Sequence, residues 1–134
     1  MTLRKFIGLI LASALVLMVV ACSSGSSGPN PPNGPISVTF LNPPPTSLST
    51  GASVGLVAIV SNDSTGNGVT WSVTCGGSSC GTISPSSTGS GATATYTAPS
   101  ALPSPAPVTI KAASVTDTTK SVSSIISITS ASTA

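Results

Sequence analysis

The sequence predicts an all-β fold, a β-sandwich or small barrel of about six or seven short strands. Three observations carry that expectation. Apolar and hydroxyl-bearing residues alternate from Ile36 onward. Turn-forming clusters interrupt the alternation about every 8–15 residues. After residue 35, no stretch repeats apolar residues at helical spacing over two turns. Successive side chains of a strand point to opposite sides of the sheet, so alternation marks a segment with one dry and one wet side.

Taken in order, Ile36, Val38 and Phe40 share one parity, and Pro43, Pro44 and Pro45 then break the strand. Val54, Leu56, Ala58 and Val60 form the next set, although Val57 and Ile59 make the opposite side apolar too. A turn follows over 62–68, rich in Asn, Asp and Gly. Val69, Trp71 and Val73 alternate with Thr70, Ser72 and Thr74, and Ala92, Ala94 and Tyr96 alternate with Thr93, Thr95 and Thr97. Val108, Ile110 and Ala112 come next, then Val122, Ile126 and Ile128 with Ser124 in the same register. The apolar parity should face the interior, and the Thr/Ser parity should face water, where β-branched threonine suits a pleated surface. Trp71, the single tryptophan, is expected at the centre of the core together with Tyr96. A sugar-stacking platform is the competing reading of these two rings. Each shares its parity with the aliphatic residues of its strand, which favours the core.

Composition excludes several functions. The 134 residues include two aspartates (Asp63 and Asp117), four Lys/Arg, no histidine, and neither Glu nor Gln. Without the first 21 residues the bases fall to Lys111 and Lys120, and the chain is formally neutral. A nucleic-acid binder needs clustered cations to neutralise phosphates, so none is expected. Catalysis is not expected either. A nucleophilic serine lacks a histidine base, Lys111 lies on the polar parity of its strand, and Asp63 and Asp117 are isolated turn residues. No metal site and no cofactor are expected, because the ligand types are missing.

The N-terminus reads as an address. Arg4 and Lys5 precede an apolar stretch over 6–20, and Val19, Val20, Ala21 and Cys22 close it. A charged start, an apolar middle and a small residue before a cut make a secretory signal. The stretch is short for an uncleaved membrane anchor, since spanning takes about 20 apolar residues. The last four residues resemble the lipobox of bacterial lipoproteins. That resemblance implies a signal peptide over 1–21 and a diacylglyceryl thioether on Cys22, with palmitate-like acylation of the exposed amine. Two or three acyl chains give stable anchoring, because each buried methylene contributes about 0.8 kcal/mol. Ser23 leans toward the outer membrane if the host has one. Residues 22–35 then form a lipidated cysteine and a Gly/Ser/Pro-rich tether of roughly 40 Å when extended.

Between residues 36 and 130 the order of motifs resembles the bacterial Ig-like (Big) domains. The pieces are Val69-Thr70-Trp71-Ser72-Val73, the Cys75 to Cys80 loop, Gly81-Thr82-Ile83-Ser84-Pro85, Tyr96-Thr97-Ala98-Pro99, and Pro107-Val108-Thr109-Ile110 with Ala112 and Ser114. The resemblance implies an Ig-like β-sandwich of about seven strands, found in adhesins and other secreted proteins, with a structural or adhesive role.

With Cys22 committed to lipid, Cys75 and Cys80 remain as an even pair in an exported domain and read as a disulfide. The four residues between them are Gly and Ser, flexible enough to let the sulfurs meet. A metal site would need two further ligands, and a redox pair more typically has Cys-x-x-Cys spacing.

The function expected is therefore a lipid-anchored, non-enzymatic envelope module, attached to the membrane through Cys22 and meeting an envelope protein or glycan. The alternative is a small glycan- or cell-wall-binding protein with a site formed by loops 62–68 and 99–107. A third reading is an envelope spacer, O-glycosylated on its many Ser and Thr.

Overall fold

The structure is a computed structural model and describes residues 34–132. The expected signal peptide, Cys22, and all of the expected tether except Gly34 and Pro35 lie outside the described residues. Nine strands follow in order: β1 (Ser37–Phe40), β2 (Ser47–Ser49), β3 (Ser53–Ser61), β4 (Val69–Cys75), β5 (Thr82–Ser84), β6 (Ser87–Thr88), β7 (Thr93–Thr97), β8 (Pro107–Ser114) and β9 (Ser121–Thr129). They form a four-stranded sheet, β1-β3-β7-β5, and a five-stranded sheet, β2-β9-β8-β4-β6, packed face to face. With β2 and β6 set aside, the remaining seven strands, counted in chain order, lie 1-2-5-4 in one sheet and 7-6-3 in the other. This is the immunoglobulin arrangement.

The six alternating segments read from the sequence correspond to β1, β3, β4, β7, β8 and β9. The additional strands β2, β5 and β6 are three, three and two residues long and sit at sheet edges. Alternation has no room to show in segments that short. The three prolines 43–45 lie where the chain leaves β1 in one sheet for β2 in the other. Proline offers no N–H to a ladder, so pairing ends there and the chain can cross.

The longest ladder joins β4 to β8, antiparallel from Val69↔Ser114 to Cys75↔Val108. β9 continues it from Pro107↔Ser127 to Ala113↔Ser121, and β2 adds in parallel at Ser47↔Ser127. The interior takes the expected parity from both sheets. Leu56, Ala58, Ala94 and Tyr96 meet Val69, Trp71, Val108, Ile110, Ala112 and Ile126, and all of these are buried.

Trp71 is 4% exposed and Tyr96 fully buried. Burying an indole requires a partner for its N–H. Nε1 of Trp71 donates to Oγ1 of Thr88, itself buried on β6, at 2.9 Å. The two-residue edge strand therefore holds the acceptor that lets the tryptophan stay inside. Phe40 from the opposite sheet stacks on the indole with ring centroids 6.3 Å apart.

Candidate functional site

Because β4 and β8 run antiparallel, their ladder defines two ends of the sandwich. Loop 62–68 enters β4 at Val69, beside Ser114 at the close of β8. Loop 99–107 enters β8 at Pro107, beside the Cys75 end of β4. The eight residues of β8 span seven steps of about 3.3 Å and put these loops about 23 Å apart. The glycan site expected from loops 62–68 and 99–107 is therefore not assembled; the two loops sit at opposite ends. The rings of Trp71 and Tyr96 are likewise inside the core and give no exposed stacking surface.

The chain enters at the first end. Asn62, in the left-handed region (φ 62), donates from Nδ2 to the Pro35 carbonyl at 3.0 Å. Asparagine is one of the few residues with a side chain that tolerates this conformation. Next to it, the Asp63 carboxylate accepts the Thr65 N–H at 3.0 Å and the Thr65 hydroxyl at 2.6 Å. Thr116, from the loop between β8 and β9, donates its hydroxyl to the other oxygen of Asp63 at 3.0 Å. Asp117 repeats the pattern with the Thr119 N–H at 3.1 Å and the Thr119 hydroxyl at 2.6 Å. Buried Ser114 accepts the Asp117 N–H at 3.2 Å. Both carboxyls are held below their usual value of 3.8. The threonine hydroxyl two residues on is the largest cause in each case, and for Asp117 the Lys120 charge adds to it. Gly68 closes this loop at φ 77, where a Cβ would collide with the Thr88 carbonyl.

The opposite end is built from other materials. Cys75 and Cys80 stand at disulfide distance, with sulfurs 1.96 Å and Cα atoms 5.5 Å apart. Pro105 packs so closely on Gly76 that a Cβ there would overlap its ring. The Tyr96 hydroxyl donates to the Cys80 carbonyl at 2.8 Å. Burial pushes that phenol above its usual 10.0. The C-terminal strand ends here, and the Ala131 N–H donates to Oγ1 of Thr50 at 3.1 Å. No ionisable acid or base of the Asp, Glu, Lys, Arg or His type occurs in 50–52, 75–81 or 98–107.

Between the ends lie two outer sheet surfaces. On the five-stranded sheet, Thr70, Ser72, Thr74, Ser123 and Ser127 surround exposed Lys111 and Ile125, which is 63% exposed. On the four-stranded sheet, Thr39, Thr93 and Thr95 flank Val57 and Ile59, and no charged side chain points outward. Among the described residues, no three His, Cys, Asp or Glu side chains are grouped so as to hold a metal ion.

Asp63 and Asp117 lie in turns as the sequence suggested, and Cys75 pairs with Cys80, with Cys75 the last residue of β4 and Cys80 in the loop that follows. Sequence reading missed Thr88 and Thr116. One residue among many Ser and Thr carries no local mark of its partner 17 or 53 residues away. Compared with known proteins, the chain matches no family model, no curated protein and no solved structure.

Proposed function

We propose that this chain is a lipid-anchored, exported Ig-like module of the bacterial cell envelope, with a non-enzymatic structural or adhesive role. Its resemblance to bacterial Ig-like domains and the lipobox-like Val19-Val20-Ala21-Cys22 motivate the reading. The observation that carries it is the direction in which the chain enters. Pro35, the last tether residue, is fixed by Asn62 at the end that holds Asp63, Asp117 and Lys120. An anchor at Cys22 would then join the domain at the end opposite Cys75 and Cys80. The tether would supply reach, and the neutral sandwich would supply shape without long-range charge steering. Association with a partner should accordingly be slow and only weakly sensitive to salt.

Metabolic labelling with a palmitate analogue in the native host tests the anchor. Label should appear on the wild-type chain and vanish in Cys22→Ser, which should leave the membrane fraction. An unlabelled wild-type chain, or a Cys22→Ser chain still retained in membranes, overturns the proposal. Protease added to whole cells reports which side of the envelope the domain occupies.

A further inference from the structure

The chain from Ser37 to Ser49 runs the length of the sandwich in one direction, first in one sheet and then in the other. β1 starts beside Ser61, at the end where the tether enters, and runs along β3 to Phe40↔Ala58. After the crossing at prolines 43–45, β2 runs parallel to β9 from Ser47↔Ser127 to Ser49↔Thr129 and reaches the disulfide-bearing end. Hydrogen bonds hold the segment in both sheets. The Leu41 N–H donates to the Val57 carbonyl at 2.9 Å, the Ser127 N–H to the Thr46 carbonyl at 2.9 Å, and the Thr50 N–H to the Thr129 carbonyl at 2.8 Å. Thr50 gains one more bond, its Oγ1 accepting the Ala131 N–H at 3.1 Å. The turn that follows is tied to the far end. The Gly51 N–H donates to the Pro99 carbonyl at 3.0 Å, and the Ala98 N–H to the Ala52 carbonyl at 2.8 Å.

We propose that this segment is a tension-bearing lock, which makes the domain resist a pull on its tether when the far end is held. Ladder hydrogen bonds run across the strands, not along them. A pull on Pro35, directed out of the entry end, acts along β1 and β2 and against their direction of travel. To yield, each strand must slide along its neighbour, so every bond of its ladder is loaded at once. A pull across the entry end acts at right angles to β1. It loads Ser37↔Ser61 first and each following pair in turn, so the strand peels. The neighbours are themselves held from behind, β3 by β7 and β9 by β8. The two ladders act in series, because the crossing at 43–45 passes the load to β2 once β1 has slipped. Forced unfolding is governed by an unfolding rate rather than by equilibrium stability. That rate depends on the route the pull imposes, so one domain can be strong in one direction and weak in another. A partner bound at the disulfide-bearing end, opposite a membrane anchor, would supply the hold. That role rests on the structural or adhesive reading above; the direction dependence does not.

Single-molecule pulling on the chain from residue 22 onward, unlipidated and with Cys75 and Cys80 kept joined, tests the lock. The Cys22 thiol is one handle. The other is a thiol at the far end, Ala101→Cys, or at the entry end, Thr118→Cys, and both positions are exposed loop residues. The two geometries load the same domain, so the direction of the pull is what differs. The rupture force should be about twofold or more higher with the residue 101 handle than with the residue 118 handle. Equal forces, or a higher force with the residue 118 handle, overturn the proposal. Thr50→Pro deletes the N–H given to Thr129 and the hydroxyl that receives Ala131. With Trp71 fluorescence unchanged, it should lower the force on the residue 101 handle by about a third, since the β2 ladder has few bonds to lose. No fall there, or an equal fall with both handles, overturns the part assigned to β2. Labelling of Cys22 decides the anchor separately. An unlabelled chain whose force depends on direction keeps the lock and loses the anchor, whereas a labelled chain with equal forces keeps the anchor and loses the lock.

Discussion

At the end where the chain enters, loops 62–68 and 115–120 are held by hydroxyls donated to two carboxylates. At the other end, loop 75–81 is held by a sulfur–sulfur contact, a tyrosine hydroxyl, and proline packed against glycine. The two ends belong to one ladder and share one core, yet they depend on different conditions. Acid removes the acceptors of the first end, and a reductant removes the cross-link of the second. A domain with few charged residues can still have chemically distinct ends, provided that its turns concentrate what charge it has.

The largest effect should come from the residue that serves both. Trp71→Ala removes the biggest buried ring from the middle of β4, leaves Thr88 and Phe40 without their partner, and should cost about 3–5 kcal/mol. Chemical denaturation should show both ends loosening together. Loss of one end alone would mean that the sandwich is not a single cooperative unit. Trp71→Phe keeps most of the packing but leaves the buried Thr88 hydroxyl unpaired, so it should cost less.

The cross-link acts on one end only. Replacing Cys75 and Cys80 together by Ala should cost about 2 kcal/mol in the chain-entropy model, because the closed loop is short. Hydrogen exchange should quicken in 75–81 and 99–107 while 62–68 stays protected. Mass spectrometry of the non-reduced protein should find no free thiol at either position; two free thiols would remove the distinction between the ends. A smaller change is Tyr96→Phe, which keeps the buried ring but strips the Cys80 carbonyl of its donor. About 1 kcal/mol is expected, again with faster exchange confined to the disulfide loop.

How much of this was legible depended on how local the cause was. Alternation over five or more residues is written in the strand itself, so β3, β4, β7, β8 and β9 could be read directly. The inward turn of Trp71 and Tyr96 could be read with them. The cysteine pair was legible because few cysteines left few partners. Strand pairing was not. Nothing near loops 62–68 and 99–107 records that β4 and β8 run in opposite directions, so the two loops were grouped into one site. The outward apolarity of Val57 and Ile59 was visible in the sequence. That Leu41 lies beside Val57 was not, because it follows only from the β1–β3 register. Thr88 required knowing where an indole N–H would point.

The gentlest perturbation separates the ends most sharply, because pH reaches each through a different group. Asp63 and Asp117 have folded values below 3.8, so above that value both are ionised whether the chain is folded or unfolded, and their contribution is complete. As pH falls below 3.8 the unfolded chain takes up protons first. The advantage shrinks and is gone once pH passes the lower folded values. Tyr96 runs the other way. Its folded value lies above 10.0, so its contribution is complete below 10.0 and is lost as the unfolded chain begins to deprotonate above it. Acid should therefore loosen Thr65, Thr116 and Thr119 first, and alkali should loosen the loop under Cys80. Backbone amide shifts followed against pH should show the two ends responding at opposite extremes. Asp63→Asn should remove most of the acid response at Thr65 and Thr116 while leaving that at Thr119. An acid response of equal size at the disulfide loop would contradict the assignment, since that end holds no carboxylate side chain to protonate.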